Sequence, residues 1–197
     1  VPSTSHTTIG FDRVLRIGYG GLRREIETRL ERGGFETAPP LDFAARLVDG
    51  PLPGTRALAT HPALGHWGEA LHRTEYDGPP LTVECWARRR PAAGFSVLVG
   101  NRQKESRLHW ELYAFAGNGC LAAYLPGYAP NTVLSPRVVT DDRWHHLAMT
   151  FDGQCVCLYV DGEQVQKTAV RRTGEGQNGT GNLYVGGLPL NGVPDRK

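Results

Sequence analysis

DDRWHHLAMTFDGQCVCLYVDG, residues 141–162, decides the fold class of this chain. In its second half, Val156, Leu158 and Val160 alternate with other residues. A period of two is typical of a β-strand with one buried face. The Asp-Gly pairs at 152–153 and 161–162 have the chemistry of tight turns. The stretch therefore predicts two antiparallel strands that are joined by one turn and followed by another.

The same alternation recurs before and after this stretch. Trp110, Leu112 and Ala114 share one face of a strand-like segment, and Asn118-Gly119 predicts a type I′ turn, in which both central residues need φ > 0. Many short strands with a turn about every ten residues predict an antiparallel sandwich or barrel. The predicted strands are 81–87, 95–99, 109–115, 120–125, 144–151, 155–160, 163–169 and 183–185. Core side chains are expected from Val83, Cys85, Leu147, Leu158 and Tyr184 or Val185, with Trp144 and Met149 as further apolar anchors.

Several of these segments resemble the laminin-G-like domains of the concanavalin A-like superfamily. Leu81-Thr-Val-Glu-Cys-Trp-Ala87 resembles the opening core strand, and Asn182-Leu-Tyr-Val-Gly-Gly187 resembles a late strand. The most specific part is Trp-His-His at 144–146, followed by an Asp-Gly turn and Leu158-Tyr-Val-Asp-Gly162. The resemblance covers roughly residues 81–187. It implies an all-β fold, an antiparallel β-sandwich of the jelly-roll kind.

Residues 1–40 resemble no family and are interpreted as an N-terminal extension, while residues 41–197 are interpreted as the sandwich. The extension contains a strand-like segment, Asp12–Tyr19, and a short helix, Leu22–Arg32, whose apolar residues recur every four positions. It either belongs to a neighbouring domain or packs on the sandwich. The resemblance also implies a closing strand that is not seen before Lys197. That strand lies beyond the chain, or residues 10–20 or a partner chain take its place.

Charge and hydropathy argue against two classes of partner. Lys and Arg number 22 and Asp and Glu number 20, so the net charge of +2 creates no field that attracts nucleic acid. No apolar run approaches the roughly 18 residues of a membrane span.

The chain has four cysteines and no C-x-x-C pair, so a zinc knuckle is not expected. Cys155 and Cys157 share a strand face and should not be bonded to each other. Free thiols, or one disulfide from Cys120, both stay open. An extracellular or cell-envelope location is favoured, and a cytoplasmic one stays open because the thiols look free.

No catalytic residue set is recognised. Glycosidases of this superfamily carry two or three carboxylates on one strand, whereas Glu84 and Glu111 are single carboxylates on separate strands. His145 and His146 point to opposite faces of a strand, so they cannot bind one metal ion together. The chain alone is not expected to be an enzyme, and no cofactor is required.

Calcium is the one metal that the resemblance suggests, because laminin-G-like domains often bind it at a loop rim. Ca²⁺ takes six to eight oxygen ligands, which loops with aspartates and free carbonyls supply. The candidate ligands are Asp77, Asp141 and Asp142.

Two groups of residues are candidates for ligand binding. Arg88 and Arg89 begin a run of three arginines, which is either a solvated loop or a site for a sulfated glycan or acidic partner. Tyr124, Tyr128 and Asn131 lie in and after a strand. Aromatic rings stack on sugars, although a packed loop explains Tyr128 equally well.

The favoured function is a binding or scaffolding module for a glycan or protein ligand within a larger protein or assembly. The alternative is a structural laminin-G-like domain inside a large multidomain or multisubunit hydrolase, such as an amidase large subunit. A glycosidase is the third hypothesis, and it lacks its carboxylates.

Overall fold

The computed structural model describes residues 6–10, 14–18, 35–38, 47–53, 55–60, 67–70, 72–174 and 176–188. The described chain is almost entirely β, with one 3-10 turn at Thr74–Tyr76. In chain order the strands are β1 His6–Gly10, β2 Val14–Gly18, β3 Phe35–Ala38, β4 Leu47–Asp49, β5 Arg56–Leu58, β6 Trp67–Ala70, β7 Leu81–Arg88, β8 Ser96–Asn101, β9 Trp110–Ala114, β10 Cys120–Tyr124, β11 Tyr128–Ala129, β12 Thr132–Val138, β13 Trp144–Phe151, β14 Cys155–Val160, β15 Glu163–Ala169, β16 Arg171–Arg172 and β17 Leu183–Val185.

Two antiparallel sheets form the body of the molecule. The first sheet has the order β15-β14-β13-β7-β1-β2, and the second has the order β12-β10-β9-β8-β17-β6-β3. Two short pairs, β11-β16 and β4-β5, complete the described strands. The predicted all-β sandwich is therefore confirmed.

The core lies between the two sheets, because alternate residues of each strand point inward. In β7 and β13, Val83 lies opposite Met149 and Cys85 lies opposite Leu147. Across the core, Trp110 and Leu112 of the second sheet are 2% and 0% exposed. The predicted core positions Val83, Cys85, Leu147, Met149, Leu158 and Tyr184 are buried, whereas Val185, the alternative to Tyr184, is half-buried. Trp144 differs from the prediction, since it is half-buried on the opposite face of β13 from Leu147 and Met149.

The backbone angles of the turns test the predictions made from the Asp-Gly and Asn-Gly pairs. Asp161 and Gly162 have φ of 53° and 84°, as a type I′ turn requires. The predicted type I′ turn at Asn118-Gly119 is wrong. Positive φ falls on Gly117 and Gly119, because the Asn118 side chain accepts a hydrogen bond from the Cys120 N–H at 3.0 Å and so closes a longer turn.

The N-terminal strands extend the first sheet. β1 pairs with β7, with Ile9 opposite Val83, and β2 pairs with the other edge of β1. The segment beside the first core strand is thus His6–Gly10, whereas the alternative that the sequence suggests, residues 10–20, contributes β2 one strand further out. The predicted helix Leu22–Arg32 lies outside the described residues.

All four cysteines are free thiols in the structure, and the absence of a bond between Cys155 and Cys157 stays a prediction. Cys85 and Cys120 are buried, and the other two are half-buried.

No helix among the described residues is long and apolar enough to cross a bilayer.

Leu158→Ala is expected to lower the free energy of unfolding by about 2–5 kcal/mol, because the leucine is fully buried and its loss leaves a cavity. Val138, which is 46% exposed, offers a matched control: Val138→Ala should stay within about 0.5 kcal/mol of the unmodified chain. Urea unfolding followed by tryptophan fluorescence measures both. Equal effects of the two changes would contradict the assignment of the core.

Candidate functional site

Two cavities lie at opposite ends of β7. The first rim cavity has a volume of about 760 Å³ and adjoins the start of β7 and the end of β13. The second rim cavity has a volume of about 520 Å³ and adjoins the end of β7 and the start of β13. Each contains residues that the sequence singles out, so both are candidate sites.

The first rim cavity combines an apolar wall with two arginines. Arg107 and Arg172 line it from loop 102–109 and from β16, and both side chains are exposed. Neither guanidinium has an ion-pair partner within the part of the chain that the structure describes. The wall consists of Pro79, Pro80, Leu108, Trp110, Leu125, Tyr128 and Phe151.

Tyr128 is held firmly in this wall. Its ring meets Phe151 edge-on, with centroids 4.9 Å apart and an interplanar angle of 89°. Its backbone N–H donates to the Leu125 carbonyl at 3.0 Å, and β11 pairs Tyr128 with Arg172. The ring therefore packs on the core, as a packed loop would require, and it also borders the cavity, as a ligand-stacking ring would require.

Asp77 also borders the first rim cavity, but its carboxylate is already neutralised. Arg102 donates to it twice, from Nε to Oδ1 at 2.6 Å and from Nη2 to Oδ2 at 2.7 Å. His72 Nε2 lies 2.9 Å from Oδ1. Burial opposes ionisation of Asp77, yet the hydrogen bonds from Arg102 and His72 outweigh it and lower the pKa of Asp77.

Arg102 fixes the loop that carries Asp77, residues 72–80, in the rim. Its Nη1 donates to the Gly179 carbonyl at 2.6 Å, so one side chain joins loop 72–80 to loop 177–182. Arg102 itself is in the left-handed region, with φ of 64°. No sequence pattern pointed to Arg102, Arg107 or Arg172, because their roles depend on loops that meet only in the fold.

A buried pair of titratable side chains, His109 and Glu111, adjoins the cavity on the outer face of the second sheet, and His109 also lines the cavity. His109 Nδ1 donates to the Asn101 carbonyl at 2.6 Å, and its Nε2 lies 3.4 Å from Glu111 Oε2. Lys104 Nζ lies 3.2 Å from Glu111 Oε1. His109 Nε2 and Glu111 Oε2 are both buried without a hydrogen-bond partner. The alternation His109-x-Glu111 was the available sequence signal for this pair.

Tyr124 and Asn131 do not join Tyr128 in the cavity. The Tyr124 ring lies 5.9 Å from the His109 ring, on the outer face of the second sheet. Burial, and then the charges of Glu111 and Glu105, raise the pKa of Tyr124. The backbone carbonyl of Asn131 accepts a hydrogen bond from the Leu125 N–H at 2.7 Å. The three residues thus lie in three different environments.

The second rim cavity contains the arginines of the run 88–90. Arg88 and Arg90 approach the Asp142 carboxylate, with Nε–Oδ distances of 3.8 and 3.3 Å. Arg89 donates to Ser96 Oγ at 2.9 Å, and the Arg88 guanidinium lies 5.6 Å from the Trp144 ring centre. The cavity therefore has less free positive charge than its three arginines suggest.

His145 is held between two aspartates at the same end of the molecule. Its Nδ1 lies 2.7 Å from Asp161 Oδ2, and its Nε2 lies 3.0 Å from Asp141 Oδ1. Burial works against the imidazolium, but the hydrogen bonds with Asp161 and Asp141 outweigh it and raise the pKa of His145. The Arg143 hydrogen bond lowers the pKa of Asp141 to about 2.

The candidate calcium ligands therefore all have cationic partners. Asp77 is bound by Arg102, Asp142 by Arg90, and Asp141 by Arg143 at 2.6 Å. No group of three or more metal-ligating His, Cys, Asp or Glu side chains occurs among the described residues. Calcium binding at these aspartates stays a prediction, and it would require an arginine to move.

Glu84 and Glu111 lie on different sheets. Glu84, on the outer face of β7, is 3.6 Å from His146 Nε2, and Glu111 lies on the outer face of β9. The sandwich core separates these two carboxylates, so they cannot act on one glycosidic bond.

Residues 67–196, more than half of the chain, match the laminin G family model described as the concanavalin A-like lectin/glucanases superfamily. The matched region contains every residue that lines the first rim cavity. No curated protein matches the chain.

Several solved structures are similar to the chain. The CBM40 of the Ruminococcus gnavus IT-sialidase, bound to α2,3-sialyllactose, has 17% identity and a TM-score of 0.44, over 54% of this chain and 63% of its own. Mouse laminin α1 chain domains LG4-5 have 18% identity and a TM-score of 0.37, over 55% of this chain and 28% of their own. The carbohydrate-binding module CBM66 from Bacillus subtilis has 9% identity and a TM-score of 0.33, over 77% and 91%. The chain spans less than two thirds of the length of the first two.

The His145 group is expected to make stability depend on pH. Because the folded pKa of His145 is raised above its ordinary value of 6.5, its contribution is full below that value and is lost as pH rises through the folded pKa. Urea unfolding between pH 5.5 and 9 should show a fall in the free energy of unfolding that His145→Gln removes. His146→Gln, which alters the opposite face of β13, is the control and should keep the fall. A pH profile that is unchanged in His145→Gln would contradict this role.

Calcium binding has a direct measurement. A specific site would raise Tm with saturation as Ca²⁺ is added, because a ligand that binds only the folded chain stabilises it. Asp141→Asn should then abolish the shift if Asp141 is a ligand. A Tm that does not change between EGTA and millimolar Ca²⁺ would reject calcium at this rim.

Proposed function

Since the chain belongs to the concanavalin A-like lectin/glucanases superfamily, we propose that it is a non-catalytic binding module of a larger protein and that it takes a glycan or protein ligand in the first rim cavity. The superfamily includes binding modules as well as enzymes, so membership alone does not decide the function. The proposal therefore depends on the cavity.

The observation that supports it most is the pair of unpaired arginines in the first rim cavity. Arg107 and Arg172 stand beside an apolar wall that includes Tyr128 and Phe151. Ligand sites commonly have volumes of about 300–1,000 Å³, mostly apolar walls and a few placed polar groups. At about 760 Å³ the cavity has this character, and its guanidiniums can donate to ligand hydroxyl, carboxylate or sulfate oxygens.

The surrounding contacts favour a rigid site. Asp77 and Arg102 fix one border, and the edge-on contact of Tyr128 with Phe151 fixes another. A site that is already ordered loses less conformational entropy on binding. The arrangement therefore suits a module that holds a ligand without changing shape.

The carboxylates support a non-catalytic role. Glu84 and Glu111 are on opposite sides of the sandwich, and Glu111 is only 2% exposed. A glycosidase needs two carboxylates about 5–10 Å apart that flank the scissile bond. Neither residue is placed to form such a pair with the other.

Arg172→Ala is expected to weaken ligand binding by about 10- to 100-fold, which corresponds to the loss of a charged hydrogen bond worth roughly 1.5–3 kcal/mol. Arg107→Ala should act in the same direction. The matched control is Arg171→Ala, because Arg171 is the exposed neighbour on β16 and does not line the cavity. Its effect should stay below about twofold.

The measurement has two arms. An array of neutral, carboxylated and sulfated glycans is probed with the full chain, and an array of acidic peptides is probed in parallel. The best ligand of either arm is then titrated calorimetrically with the three variants. Equal weakening by Arg171→Ala and Arg172→Ala, or no binding in either arm, would overturn the proposal.

A further inference from the structure

Two half-buried thiols stand side by side on the outer face of the first sheet. Cys155 and Cys157 occupy alternate positions of β14, whose other face buries Val156, Leu158 and Val160. Residues two apart in a strand point to the same side. The other two cysteines of the chain are buried, so this is the only accessible thiol pair in the described residues.

The backbone around the pair is fixed on both sides. Cys157 lies opposite Thr150 on β13 and opposite Lys167 on β15, and Cys155 lies opposite Ala169. The side chains are thus held close together without a contribution from any flexible loop.

The spacing suits an ion between the sulfurs better than a bond between them. Residues two apart in a strand have Cα atoms about 6.7 Å apart, at the upper limit for a disulfide, and their Cβ atoms point the same way. Zn²⁺–thiolate bonds are about 2.3 Å long, and two in-line metal–thiolate bonds of similar length would let the sulfurs stand about 4.6 Å apart. A metal ion can therefore bridge the pair with little movement of the strand.

We propose that Cys155 and Cys157 form a two-coordinate site for a soft, thiophilic metal ion, with Cu⁺ as the ion of choice. Thiolates select soft ions such as Cu⁺. A structural zinc site needs four ligands, and the described residues contain no group of three or more His, Cys, Asp or Glu side chains that could hold a metal ion together. The pair therefore suits an ion that binds two ligands, such as Cu⁺, better than Zn²⁺.

Binding is a simple exchange of protons for the metal. Two S–H bonds break, two S–Cu bonds form, both protons pass to solvent, and no electron is transferred. The site changes from neutral to a charge of −1. Lys167 lies opposite Cys157 on β15, so its ammonium offsets that charge.

The test is anaerobic competition for Cu⁺ between the full chain and the chromophoric chelator bathocuproine disulfonate. One Cu⁺ per chain is expected. Cys155→Ser and Cys157→Ser should each weaken binding by more than about 100-fold. Loss of a residue that only supports a metal ligand commonly weakens metal binding about 10- to 100-fold, and loss of the ligand itself should weaken it more. Lys167→Gln should weaken it by about tenfold.

Cys120→Ser is the matched control, because Cys120 is a buried thiol on the second sheet, and it should bind Cu⁺ as the unmodified chain does. Thermal melting shows whether each variant folds, and serine at the half-buried positions should leave Tm within a few degrees. The site is rejected if folded Cys155→Ser binds Cu⁺ within about threefold of the unmodified chain. It is also rejected if Cys120→Ser weakens binding as much, or if Zn²⁺ binds the pair as tightly as Cu⁺.

Discussion

Pairing between β7 and β13 is the constraint on which the rest of the structure depends. The two strands pair without a break from Leu81 opposite Phe151 to Arg88 opposite Trp144. A slip of one residue would turn Val83, Cys85, Leu147 and Met149 away from the core, because strand side chains have a period of two. These central strands lie in the middle of the first sheet, so their register determines which face of that sheet meets Trp110 and Leu112 of the second.

The same pairing also determines the positions of the two rims. Where β7 begins and β13 ends, the loops bring Arg107 and Arg172 to one cavity, and where β7 ends and β13 begins they bring Asp142 to the other. The rims differ in how their charges are used. At the second rim Arg88 and Arg90 share one carboxylate, that of Asp142, whereas the two guanidiniums at the first rim have no ion-pair partner within the described chain. Unpaired charge beside an apolar wall is what a binding site needs.

Local sequence signals predict the elements of this fold well and its sites poorly. The alternation of Val156, Leu158 and Val160 predicts β14 because packing and period act within one strand. The type I′ turn predicted at Asn118-Gly119 was wrong because the asparagine side chain closes the turn. A Cβ on Gly119 would also meet Thr140, a residue about twenty positions away, and a local pattern cannot show that contact. The prediction that Trp144 anchors the core was wrong for a similar reason. Its ring lies on the outer face of β13, where it meets the Arg88 guanidinium of the neighbouring strand. The site residues Arg102, Arg107 and Arg172 depend on three loops at once, and no local pattern encodes such a meeting.

In the middle strands of the first sheet the core constrains mainly one face, and that leaves the other face available for chemistry. On β14 the inward residues are apolar, while Cys155, Cys157 and Tyr159 face outward. On β13 the same division puts Leu147 inside and His146 beside Glu84 and Trp86 on the outer face. Stability fixes the inward set, because each buried aliphatic side chain contributes about 1.5–3 kcal/mol. The outward set contributes little to that core, so its thiols, imidazole and carboxylate can take part in binding without weakening the fold.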